Sequence, residues 1–219
     1  MQRAVSTQER AAALFPTVAN RFELMSAYGS LGDLAGGEDA VKAYDRSLAA
    51  CESGLALEPG NVRGLRGRAV ALYKLGDAGF KLGRFESALA RSQQALAAMS
   101  RLDMAPVSMQ RLEAATLQGV GEAERELGRW RQGLPALDKA LAIHERMAKA
   151  DPANQQHTIS RAIILKAKGD NLRAGGESSA AGDAYRRCRL LLEQVVAKDP
   201  NTMVWRDRLA EVRLIESRR

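Results

Sequence analysis

The side chains with the most chemical potential in this chain are few and scattered. His144 and His157 are its two histidines. Neither has a cysteine, a second histidine or an obvious carboxylate at ligand spacing, so both are expected at the surface or at an interface rather than in catalysis. Cys51 and Cys188 are too few and too far apart for a disulfide framework, and no CxxC supplies zinc spacing. Cys188 is expected to be a packed thiol, and Cys51, late in a helical stretch, is not read as reactive. Gly119-x-Gly121 lacks the third glycine of a dinucleotide loop, because Glu124 stands there. Gly175-Gly176-Glu177-Ser178 lacks the Gly-Lys-Ser/Thr end of a phosphate loop. No nucleophile–base pair or metal set emerges. The expectation is that the chain is not an enzyme and takes no cofactor or metal.

What recurs instead is spacing. Pro16, Pro59, Pro106, Pro152 and Pro200 stand 43, 47, 46 and 48 residues apart, the mark of a stacked repeat array. Between prolines each unit reads as two helices. The first ends near a Gly-acid pair: Gly32-Asp33, Gly76-Asp77, Gly121-Glu122 and Gly169-Asp170. The second follows a turn: Gly36-Gly37-Glu38, Gly83-Arg84-Phe85-Glu86, Gly128-Arg129-Trp130 and Gly175-Gly176-Glu177. A tight helix-to-helix turn needs a positive φ, which glycine supplies. Small residues follow (Ala40, Ala88, Gly133, Ala181), with Tyr44, Ser92, Leu137 and Tyr185 four places later on the same face. The first unit is four residues shorter, close to one helical turn, so its faces stay in phase.

These signals predict helices near 17–34, 38–57, 61–82, 85–104, 107–127, 130–149, 154–174, 178–198 and 202–217. Leu75, Ala88, Ala95, Leu117, Leu137, Ala140, Ile164, Ala181, Tyr185 and Leu209 are expected in the core. Residues 1–16 read as the tail of a preceding helix or a linker, because Glu9 to Pro16 aligns without gaps on Glu145 to Pro152. On that reading the chain is the C-terminal portion of something longer, with Leu14, Phe15 and Phe22 exposed or paired with another copy. Four repeats follow over 17–200 (17–58, 59–105, 106–151, 152–199), then a capping helix over 201–219. Its apolar stripe is Trp205, Leu209, Val212 and Ile215.

Composition agrees. Across 219 residues 46% are hydrophobic and only 5% aromatic, a helix-favouring mixture. The apolar runs are too short for a signal peptide or a membrane span, so a cytoplasmic protein with no membrane partner is expected. Net charge is +7, from 33 Lys+Arg against 26 Asp+Glu. The signs are interspersed along most helices, as solvated faces are, so nucleic acid is the lesser reading.

Taken together these residues resemble the tetratricopeptide repeat (TPR). The fullest unit is Leu72, Leu75-Gly76, Phe80, Gly83, Phe85, Ala88 and Ala95. A second is Leu117, Gly121, Gly128, Trp130, Leu137 and Ala140; a third is Gly169, Leu172, Gly176, Ala181, Tyr185 and Cys188. Gly133 and Ser92 depart from the pattern, Phe80 falls one place late, and the period is about 47 rather than 34. The Asp-Pro steps at Asp151 and Asp199 look like the long-helix arrays of bacteria. The resemblance implies an all-α solenoid, a right-handed superhelix of antiparallel pairs with about nine helices. It implies a protein–protein interaction scaffold whose first helices line a concave groove for a peptide or protein. Groove positions would be Val70, Tyr73, Asp77, Phe80 and Lys81, then Gln118, Glu122, Arg125 and Glu126, then Lys166, Asp170 and Arg173. The acids after each glycine would form a ladder, with Arg125 and Arg173 within reach three residues on. The family's carboxylate clamp is not met, since Asp170 stands where asparagine is expected. Self-association through the solenoid ends is a further expectation. Two alternatives stand beside this one: a regulatory or targeting module of a larger bacterial signalling enzyme such as a serine/threonine kinase, and a nucleic-acid-binding helical repeat.

Overall fold

The computed structural model describes residues 2–104 and 106–217. Met1, Ala105, Arg218 and Arg219, within the expected segments 1–16, 59–105 and 201–219, lie outside the described residues. Among the described residues there are ten helices and no strand: α1 (Gln2–Leu14), α2 (Val18–Leu34), α3 (Gly37–Leu57), α4 (Val62–Lys81), α5 (Phe85–Met99), α6 (Val107–Glu126), α7 (Trp130–Ala150), α8 (Gln155–Ala174), α9 (Ser178–Lys198) and α10 (Met203–Ser217). None is long and apolar enough to cross a membrane.

Local chemistry sets the starts and stops. The Thr17 hydroxyl accepts from the Asn20 amide at 3.2 Å, and the side-chain Oδ1 atoms of Asn61 and Asn154 accept from the amides of Gly64 and Gln156, each at 3.1 Å. These caps satisfy donors that a helix start leaves orphaned, which is why α2, α4 and α8 begin where they do. The other ends of α4, α6 and α8 share one geometry. Gly83, Gly128 and Gly176 have φ of 72°, 75° and 76°. The next amides, of Arg84, Arg129 and Glu177, reach back to the carbonyls of Gly79, Glu124 and Leu172 at 2.8–3.0 Å. This is the Schellman closure, and only glycine enters it without strain. The short first unit loses its turn from α2, which has 17 residues where α4, α6 and α8 have 20.

One boundary differs from expectation. Helix α5 stops at Met99 rather than near 104. Leu102 and Met104 fold back to cover the cluster of Ala69, Ala95 and Met109, and burying those side chains outweighs one more helical turn.

The chain divides into two compact units, Met1–Leu112 and Glu113–Arg219. In the first, Phe22, Met25, Tyr28, Cys51 and Leu55 form a core with Val5 and Ala12 of α1, and the Tyr28 hydroxyl donates to the Glu9 carboxylate. Leu75, Ala88 and Ala95 are buried, as expected. Phe22 corrects the expectation of an exposed end. Leu14 and Phe15 are exposed, but Phe22 is 2% exposed because Gly54 and Gly64 leave room for its ring. A methyl built on either glycine would sit 2.5 Å from that ring. In the second unit Leu117, Leu137, Ala140, Ile164, Ala181, Tyr185 and Leu209 are buried, again as expected. His144 and His157 are the correction there. Both are buried, with rings 5.8 Å apart, because each falls on a buried stripe of the adjacent helices α7 and α8.

Candidate partner-binding face

Each acid that follows a first-helix glycine is engaged by a side chain, and at Asp33 and Asp170 that side chain comes from another helix. In α2, Gly32 lets the Tyr44 ring of α3 lie against the helix backbone, where a methyl would be 2.6 Å from Tyr44 Cδ1. The tyrosine hydroxyl then donates to Asp33 at 2.8 Å. In α8 the same device recurs: Gly169 accommodates the Tyr185 ring of α9, and its hydroxyl donates to Asp170 at 2.6 Å. The Gly-acid pair is thus a seat for a ring followed by an acceptor for its hydroxyl. At Gly76 the facing residue is Ser92 and at Gly121 it is Leu137. Asp77 turns to Lys81 at 2.7 Å, and Glu122 accepts from Gln118 at 2.9 Å.

In the first unit, Lys74 of α4 completes the site, with its ammonium 2.9 Å from Asp33. Burial alone would raise the Asp33 pKa, but the Lys74 and Tyr44 hydrogen bonds outweigh it and hold the carboxyl below its ordinary value. The same carboxylate pushes the Tyr44 hydroxyl up, after burial. A cavity of about 410 Å³ opens here, lined by Asp33, Tyr44, Lys74, Asp77 and Lys81. A second, of about 290 Å³, shares Asp33 and Lys74 and is floored by Met25, Gly67 and the 40% exposed Val70. Of the positions expected to line a groove, Val70, Asp77 and Lys81 meet here. Tyr73 packs against the Ala69 cluster and lines neither cavity, and Phe80 stacks edge-on against Phe85 at 5.3 Å.

In the second unit the structure brings Gln118, Glu122, Arg125, Lys166, Asp170 and Arg173 into one network. Asp170, with 11% of its side chain exposed, pairs with Lys166 at 3.0 Å, Arg125 at 3.4 Å and Arg173 at 3.6 Å. Arg125 therefore reaches across from α6 to Asp170 of α8 and also pairs with its neighbour Glu126. Lys166 also meets Glu211 of α10 at 3.1 Å. Desolvation would lower the Lys166 pKa, but its two carboxylate partners raise it. Glu122 is held above the ordinary glutamate range, first by burial and also by Asp170, against the pull of Gln118, Arg125 and Lys166. Tyr44, Lys74, Tyr185 and Glu211 complete these sites without having been foreseen as partners. The tyrosines carried a signal, four residues after a small one, but it read as packing.

The remaining chemistry is muted. Burial pushes the Cys51 thiol up to about 11 and Cys188 to about 12, so both stay protonated. Cys51 donates to the Gly64 carbonyl at 3.1 Å. Among the described residues no group of three or more metal-ligating side chains occurs.

No family model and no curated protein sequence matches this chain. Among solved structures it is similar to BtubC of P. vanneervenii, at 13% identity over 99% of this chain and 89% of that one, with a TM-score of 0.61. It is also similar to the TPR-like repeats of a kinesin light chain of Podosopora anserina, at 18% identity over 89% and 87%, with a TM-score of 0.51. The paired helices, their Schellman turns and these likenesses agree on one architecture: the chain is an all-α solenoid of tetratricopeptide-like helix pairs.

Proposed function

We propose that the chain is a non-catalytic interaction scaffold that holds a peptide or protein segment on the face made by its first helices. In this reading α2/α3, α4/α5, α6/α7 and α8/α9 are the repeats and α10 is a cap. One observation carries the proposal: the row of two cavities on α2 and α4, where exposed Val70 lies beside fixed charge pairs of both signs. An apolar contact flanked by pre-oriented charges suits a segment of mixed charge, with the apolar group giving affinity and the charges giving register. The Asp170 network would present a second such patch in the other unit. A cytoplasmic setting, and service as the interaction module of a larger bacterial signalling enzyme, are compatible with this reading. Nucleic acid is disfavoured because Lys74, Lys81, Lys166 and Arg125 each face a carboxylate. The test is panning of displayed random peptides against the wild type and a Val70→Asp/Lys74→Glu variant. Peptides enriched on the wild type should be lost on a variant that melts normally. Equal enrichment on both removes this face from consideration.

A further inference from the structure

Helix α4 carries a second stripe that the proposed function does not use. Val70, Lys74, Asp77 and Lys81 recur at four, three and four residues and share one side, whereas Arg68 and Leu72 fall on another. That other side meets α3 and α5 around a cavity of about 430 Å³. Leu48, Leu72 and Ala98 give it an apolar floor, with Leu72 6% and Ala98 8% exposed. Its rim holds three guanidinium groups, Arg68, Arg91 and Arg101, and one carboxylate, Glu52.

Arg68 and Arg91 are held by long ion pairs. Arg68 stands 3.8 Å from Glu52 and Arg91 stands 3.7 Å from Asp45. Both separations exceed hydrogen-bonding reach, so these pairs gain Coulomb energy, and apart from the Arg91 N–H that donates to Gln94 at 3.4 Å they leave guanidinium N–H groups to give. By contrast Lys74 and Lys81 sit 2.9 and 2.7 Å from their acids. Side-chain exposures of 27% for Arg68 and 36% for Arg91 place the charges where water screens them only in part. Arginine in this state takes a carboxylate with two parallel hydrogen bonds.

We infer that the α3–α4–α5 cavity is a docking site for an acidic peptide segment in which a leucine-like side chain is flanked by carboxylates. The apolar floor takes the leucine, and the surplus of two positive charges on the lining takes the acids. This site is separate from the α2–α4 face, and either can fail without the other.

The probe is a fluorescein-labelled Glu-Glu-Leu-Glu-Glu peptide, read by anisotropy on the full chain. Its all-Gln counterpart and a version with Ser for Leu serve as comparisons. The acidic peptide should bind at least tenfold tighter than either, with affinity falling as salt is raised. An Arg91→Gln/Arg101→Gln variant should lose at least tenfold, with its thermal melt unchanged because exposed pairs contribute little to folding. Val70→Asp should leave this binding intact. Equal binding of the acidic and all-Gln peptides, or undiminished binding by the double arginine variant, overturns the inference. So does loss of binding in Val70→Asp. Displacement of the peptide by an oligonucleotide of equal charge at lower concentration would also overturn it, assigning the site to phosphate.

Discussion

Replacing Gly32 by alanine should turn a normally favourable change into a costly one. In an exposed helix interior, Gly→Ala stabilises by about 1 kcal/mol. At position 32 the new methyl would lie 2.6 Å from Tyr44 Cδ1, where ordinary contact begins near 3.4 Å. The ring must move by roughly an ångström, and overpacking of this kind costs about 1–3 kcal/mol. A ring that moves cannot keep its hydroxyl 2.8 Å from Asp33, and a hydrogen bond to a charged group contributes about 1.5–3 kcal/mol. The net expectation is a loss of about 1.5–5 kcal/mol, or on the order of 3–20 °C in a chain of this size. The assay is a double-mutant cycle of thermal melts with Tyr44→Ala. Once the ring is gone, the methyl meets no obstacle and Gly32→Ala should stabilise by up to about 1 kcal/mol. Tyr44→Phe separates the hydroxyl from the ring. Should Gly32→Ala raise the melting temperature of the wild type, or cost the same with and without Tyr44, the ring-seat account is wrong.

Glu122 gives a pH prediction. Its pKa is raised in the folded state above the ordinary 4.5, so the fold prefers the protonated form. Its contribution is therefore full below that ordinary value and is lost as pH rises through the raised one. Glu122→Gln, which keeps an acceptor for Gln118, should match the wild type near about pH 4 and become the more stable protein toward about pH 7. A constant difference across melts in that range would refute it. At the α8–α9 turn, Gly176→Ala should destabilise by about 1 kcal/mol, since φ of 76° strains any residue with a Cβ; an unchanged urea midpoint would count against this.

The backbone plan was legible because its signals are local. The five recurring prolines and the turn glycines each act within a few residues, and each lies at a helix end in the structure, whereas Pro135 is carried inside α7. The helix-facing small residues were legible for the same reason. Partners across helices were not. Phe22 looked exposed because nothing near it announces that Gly54 and Gly64 will face its ring. His144 and His157 looked solitary, although a helical hairpin brings residues thirteen apart side by side. The acids after the glycines could be read from the pattern. Their donors could not, since Lys74 lies 41 residues from Asp33 and reaches it only once α2 and α4 are packed.

The tyrosine clasp also bears on when each part of the chain can fold during synthesis. Tyr44 and Asp33 are 11 residues apart, and Tyr185 and Asp170 are 15 apart. Loops of about that length close in roughly 10–100 ns, far faster than a ribosome adds the next residue. These two hairpins, α2–α3 and α8–α9, can therefore be latched soon after their second helices start to emerge, with register fixed by a ring in a glycine seat. Little apolar surface then waits for distant sequence, which limits the time a nascent chain spends open to aggregation.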